Sequence, residues 1–102
     1  MKTRDGRAYA NAYYDDGQVT ILPGGKVSES FKGENDVYLL RHNRELIDEE
    51  GFIIKESVFS NPSIAAQFVN GNISNGYRVW KANGKDLGKY LEEMGIRKPR
   101  KK

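Results

Sequence analysis

Between Arg7 and Tyr14 the chain alternates, with Ala8, Ala10 and Ala12 falling on one side and Tyr9, Asn11 and Tyr13 on the other. A period of two belongs to a strand, whose successive side chains point to opposite faces. Asp15-Asp16-Gly17 follows, and the alternation resumes from Gln18 to Leu22 with Val19 and Ile21 on one face. An Asp-Gly pair between two such runs predicts a hairpin, because glycine accepts the positive φ of a tight turn. Pro23-Gly24-Gly25 then ends or kinks the second strand.

The rest of the chain switches between helical and strand spacing. Ser28 to Asp36 is polar and is expected to be a loop. From Asp36 to about Glu50, Val37, Leu40 and Ile47, with Leu39 and Leu46, supply an apolar helical stripe. Asn35 or Asp36 would cap that helix and Gly51 would stop it. Phe52-Ile53-Ile54 and Val58-Phe59 predict one strand. Ser60-Asn61-Pro62-Ser63 predicts a helix start, since an asparagine side chain accepts free amide hydrogens and proline at the first position has none to waste. Ile64, Ala65, Phe68 and Val69 line one face of that helix, and Gly71 closes it.

Tyr77 to Lys81 alternates again between the turn signals Asn75-Gly76 and Asn83-Gly84, which predicts a further strand. Asp86 would cap a last helix striped by Leu87, Tyr90, Leu91 and Met94 and ended by Gly95. The expectation is an α+β domain with a small, mainly antiparallel sheet, made of the N-terminal hairpin and two later strands and packed with three helices. Val19, Ile21, Leu40, Ile47, Ile54, Phe59, Ala65, Phe68, Val79, Trp80, Leu87 and Leu91 form the expected core.

Composition narrows the class. With 102 residues there is room for one domain, expected over residues 1–96. Cysteine is absent, so disulfides and thiolate metal sites do not contribute. The apolar runs are far too short to span a membrane, and no apolar segment follows the N-terminal charges, so a soluble, cytoplasmic protein is expected. The net charge of +3 changes meaning once located. Arg97, Lys98, Arg100, Lys101 and Lys102 carry five of the seventeen basic side chains, leaving twelve against fourteen acidic ones, a net of −2 for the body. The tail is expected to be disordered, since a run of like charge has nothing to bury.

No catalytic set emerges from the residue types. Asp48-Glu49-Glu50 and the pairs Asp15-Asp16 and Glu92-Glu93 diverge around a helix or turn and are expected to be solvated rather than a metal cage. The one histidine, His42, sits between Arg41 and Asn43 with no second ligand, and is expected at the surface. Gly24-Gly25-Lys26 lacks the remaining spacing of a phosphate loop. Neither a metal nor a cofactor is implied.

Between Phe59 and Lys85, however, turn residues, aromatics and bases concentrate. Asn61 and Ser63 open a helix whose N-terminus could attract an anion. Asn75, Tyr77, Arg78, Lys81 and Lys85 follow, offering cations for phosphates and a ring for a base. Trp80 is expected in the core.

At these residues the chain resembles a known family. Phe59-Ser60-Asn61-Pro62-Ser63-Ile64-Ala65-Ala66, then Gly71, Asn75-Gly76 and Trp80-Lys81, is similar to the signature of a small domain of unknown function found C-terminal to GIY-YIG nuclease modules and in restriction–modification proteins. It is similar to the RAMA (restriction enzyme adenine methylase associated) domain. Asp16-Gly17 to Gly24-Gly25, Arg44 to Ile47 and Gly84 to Leu87 extend the resemblance over nearly the whole chain. Asn61 stands where serine is more usual, and Tyr77 where tryptophan is frequent.

The resemblance implies a recognition domain rather than an enzyme. The expected function is that of a non-catalytic DNA-binding accessory domain, sensitive to base modification and working beside a nuclease or methylase. It would be a monomer, contacting DNA through Asn61, Ser63, Asn75, Tyr77, Arg78, Lys81, Lys85 and the basic tail. The alternative is a protein-interaction module docking to a nuclease or methylase subunit. Convergent cations beside a groove would favour the first, and an exposed aromatic patch in neutral surroundings the second.

Overall fold

The computed structural model describes residues 8–82 and 84–95. Strands β1 (Ala12–Asp15) and β2 (Gln18–Ile21) form the antiparallel hairpin, in register Ala12↔Ile21 to Asp15↔Gln18. Its two-residue turn has positive φ at both Asp16 (47°) and Gly17 (90°), the primed geometry that matches strand twist. Beyond Leu22 the ladder resumes where Tyr9 and Lys26 exchange backbone bonds of 2.9 and 2.8 Å. A Cβ on Gly25 would lie 2.4 Å from the Tyr9 carbonyl oxygen, so only glycine lets these two segments cross.

Strand β3 (Ser57–Phe59) pairs antiparallel with β2, giving the order β1-β2-β3. The α+β class and the antiparallel hairpin are as expected, but the single strand from Phe52 to Phe59 is not. Phe52 bridges to Lys26 and Ile53 to Ile47, and only three residues of the segment join the sheet. The chain turns Ile53 into the core and leaves Ile54 50% exposed, so the expected core position shifts by one. Polar Lys55 and Glu56 interrupt the run and stay in solvent.

The first helix, α1 (Asn35–Arg41), stops well before Glu50. Asn43 ends it. Its side chain accepts the Glu45 amide at 2.9 Å, offering the backbone a turn in place of a helix. Asp48 does the same for the amides of Glu50 and Phe52. Neither Asn35 nor Asp36 caps α1. Its N-cap is Glu34, whose amide donates to the buried Gln67 side chain. Leu40 is half-buried, while Val37 takes the fully buried place.

Helix α2 (Pro62–Asn70) is the hub. Ala65, Ala66, Phe68 and Val69 are fully buried, and Phe68 meets Phe59 of β3 with ring centroids 5.0 Å apart. Burying side chains such as Phe68, Ile21 and Val69 is worth about 1.5–3 kcal/mol each. As expected, Asn61 caps α2 by accepting the Ile64 amide at 2.8 Å, and Gly71 closes it at φ 80°.

The expected strand from Tyr77 to Lys81 is instead a short helix, α3 (Gly76–Val79). Asn75 starts it by accepting the Tyr77 amide at 3.0 Å. Val79 is half-buried and Trp80 fully buried, as a helical turn followed by an extended residue allows. Strands β4 (Lys81–Ala82) and β5 (Lys85–Asp86) form a separate two-stranded ribbon. It leads into α4 (Leu87–Glu93), where Leu87 and Leu91 are buried and Met94 lies exposed beyond the helix end. No helix among the described residues is long and apolar enough to cross a membrane.

Candidate nucleic-acid interface

The signature residues assemble into a knot where the starts of α2 and α3 meet. Gly76 lies on the first turn of α2 so closely that a Cβ there would come within 2.1 Å of the Pro62 carbonyl carbon. Its amide donates to Ser63 Oγ at 2.9 Å. Trp80, 5% exposed, donates its indole Nε1–H to the Pro62 carbonyl at 3.0 Å. Pro62, Ser63, Gly76 and Trp80 thus lock one another, and the free amides at the start of α2 are met by Asn61 and covered by Gly76. Of the residues expected to touch DNA, Asn61, Ser63 and Asn75 each accept a backbone amide of the fold.

The cations form a second group just beyond. Lys81 Nζ donates to the Arg78 carbonyl at 3.1 Å and pairs with the Asp86 carboxylate. Asp86 stands at the expected N-cap of α4, but its side chain makes no cap bond and serves Lys81 instead. The Lys81 hydrogen bond, reinforced by the charges of Lys81, Arg78 and Lys89, holds the Asp86 carboxyl below the usual carboxylate value. Lys85 points elsewhere, to Glu93 Oε2 at 2.7 Å. Lys81 is thus matched by Asp86 and Lys85 by Glu93.

Beside this cluster lies an open polar groove of about 410 Å³, lined by Asn75, Tyr77, Arg78, Asp86, Lys89 and Glu92. Arg78 and Lys89 make no ion pair with another described residue. Across the Lys81–Asp86 pair lies a second groove of about 430 Å³, walled by Tyr13, Tyr14, Trp80, Lys81, Ala82 and Tyr90. It lies between the hairpin, at Ala12, Tyr14 and Val19, and the Lys81–Ala82 strand with α4, at Leu87, Tyr90 and Leu91. Tyr14 is hydrogen-bonded to Tyr77, and burial together with that neighbour pushes its phenol pKa up. Tyr77 is half-buried and belongs to both the core packing and the polar groove.

Lys89, Tyr13, Tyr14 and Tyr90 did not stand out in the sequence. The only signal of the three aromatic residues is the number of tyrosines, six in 102 residues, and a Tyr-Tyr pair in a strand, which must send one ring to each face. Arg97, Lys98, Arg100, Lys101 and Lys102 lie outside the described residues.

Elsewhere, His42 is exposed, stacked on Tyr38 at 4.2 Å with Nδ1 2.9 Å from the Tyr38 carbonyl oxygen. Arg41 is buried without a carboxylate partner among the described residues. Its guanidinium donates to the carbonyls of Ser28 and Ser30 and lies 4.9 Å from the Phe31 ring centre. Burial pushes its pKa down to about 10.

No curated protein and no solved structure matches this sequence. The profile of the family described as Domain of unknown function (DUF4357) matches residues 1–94, and the chain belongs to that family.

Proposed function

We propose that the protein is a non-catalytic DNA-binding accessory domain whose contact face is built from α3, the β4–β5 ribbon and α4. One observation carries this reading: Arg78 and Lys89, neither ion-paired with another described residue, line one open groove with Asp86 and Glu92, and Lys81 pairs with Asp86 at its side. With Lys81 counted, three cations face the two carboxylates of Asp86 and Glu92, and a local excess of positive charge attracts phosphate even when the body as a whole is slightly acidic. Asn75 and Tyr77 line the same groove, whereas Asn61 and Ser63 support it from below through the α2–α3 knot. Lys85, Arg97, Lys98, Arg100, Lys101 and Lys102 would add sequence-independent attraction with strong salt dependence.

The resemblance to RAMA domains and to modules beside GIY-YIG nucleases supports a role in a restriction or nuclease setting, with base modification as the feature read. The test is fluorescence-anisotropy titration of the intact chain against duplex DNA with and without methylated adenine. A version with the five tail cations replaced by glutamine serves as comparison. Binding that survives tail neutralisation and falls on Arg78→Gln with Lys89→Gln supports the body as reader. Binding that vanishes with the tail overturns that role.

A second reading, a protein-interaction module docking to a nuclease or methylase subunit, draws on the outer face of the sheet. There Tyr13, 66% exposed, aligns with Thr20 and then Val58 across the register, and Ile54 is exposed nearby in sequence. Absence of any DNA binding by the intact chain would favour it.

A further inference from the structure

We infer that the groove between β1 and α4 receives an unstacked nucleobase, with the flanking phosphate on Arg78, Lys81 and Lys89. This rests on the nucleic-acid reading above and assigns the base to a specific pocket. Tyr14, Trp80 and Tyr90 line a single open cleft of about 430 Å³ on the inner face of the hairpin, with Tyr13 at its rim. That is within the range that encloses small molecules, and a base offers a flat π-face to such rings. An apolar cleft alone would accept many occupants. What selects this one is charge: Lys81 lines the aromatic cleft, and its partner Asp86 lines the neighbouring polar groove with Arg78 and Lys89. Aromatic faces and cations therefore adjoin across one ion pair, as the base and phosphate of a nucleotide adjoin across its sugar.

A paired base inside a duplex keeps both faces stacked and cannot enter a side cleft. The occupant must come from single-stranded, frayed or flipped nucleic acid, and taking it from a duplex costs unstacking energy. The pocket therefore favours strands over intact duplex, and within a duplex it favours weakly paired positions.

Trp80 makes the test direct, because it is the single tryptophan of the chain and lines the cleft. Its fluorescence is titrated in the full chain with a short deoxyadenosine oligonucleotide, an abasic strand of equal length and a perfectly paired duplex. The base-bearing strand is expected to quench Trp80 and to bind more tightly than either alternative. Tyr14→Leu and Tyr90→Leu should each weaken it by about 5- to 150-fold, the worth of one base stacked on an aromatic ring. Tyr13 is largely exposed on the other face of the sheet, so Tyr13→Ala keeps the fold and should bind as the unaltered chain does. The abasic comparison on the unaltered chain tests the pocket even if a cleft variant fails to fold. Equal binding of abasic and base-bearing strands, without quenching and indifferent to both cleft tyrosines, would overturn the base pocket and leave phosphate contact standing. Failure of every nucleic acid to bind would overturn both.

Discussion

The indole Nε1 of Trp80 donates to the carbonyl oxygen of Pro62 at 3.0 Å, across eighteen residues of sequence. That bond ties the residue preceding the ribbon to the first turn of α2, and Gly76 fills the space between the two by having no side chain. Replacing Trp80 by alanine should cost about 3–5 kcal/mol, and replacing it by phenylalanine about 1–3, since the Pro62 carbonyl then loses its donor. Gly76→Ala should cost at least about 2 kcal/mol, because backbone rather than a flexible side chain blocks the new methyl. Urea unfolding of the three variants checks the order. An unchanged midpoint for Gly76→Ala would show that the α2–α3 contact is looser than described.

Asn61→Ala should lower stability by about 1 kcal/mol through loss of the α2 cap, and Asn61→Ser should restore most of it. Ser63→Ala strands the part-buried Gly76 amide and should cost about 1–3 kcal/mol. Thermal melts of the three variants are sufficient. Equal loss in the serine and alanine variants at position 61 would mean that its side chain serves something other than the cap.

Arg41→Ala should destabilise by about 2–4 kcal/mol. It removes charge-assisted bonds to the carbonyls of Ser28 and Ser30 together with the contact to Phe31. Hydrogen exchange should show the Ser28–Gly33 loop opening before the sheet. Protection unchanged in that loop would remove Arg41 from the role of its anchor.

Asp86→Asn should strengthen DNA binding several-fold and steepen its salt dependence by about 1 in log–log slope, by releasing Lys81 to phosphate. The sign follows from the lowered carboxyl pKa. The pair's contribution to stability is in place above the ordinary value of 3.8 and is lost only as pH falls through the lower folded value. At neutral pH the carboxylate is thus fully charged and competes with DNA. Weaker binding by the asparagine variant would mean that Asp86 orients Lys81 rather than masks it.

What could be read in the sequence was local. The Asp16-Gly17 turn follows from the φ values that turn demands, and the start of α2 from Asn61-Pro62, because a cap and a proline act within one turn of themselves. The length of α1 did not follow from its apolar spacing. Asn43 and Asp48 each bind backbone amides a few residues on, and such bonds compete with helix on nearly equal terms. Nor did Tyr77–Lys81, where five alternating residues fit a strand until Asn75 and the Pro62 carbonyl draw them into a helical turn and a buried indole.

The candidate site divides along the same line. Arg78 and Lys81 were visible as a cluster of cations, because charge is a property of residue type. The pairing of Lys81 with Asp86 needed the turn of the ribbon between them, and the joining of Tyr14 with Tyr90 in one cleft brings together residues more than seventy positions apart. Patterns of period two or 3.6 specify which face a residue occupies on its own element, and so the sequence by itself determined the faces of the hairpin, α2 and α4 and most of the core. Which faces meet was decided by contacts such as Gly76 on Pro62, which sets α3 against α2, since that approach depends on packing between distant segments rather than on any local preference.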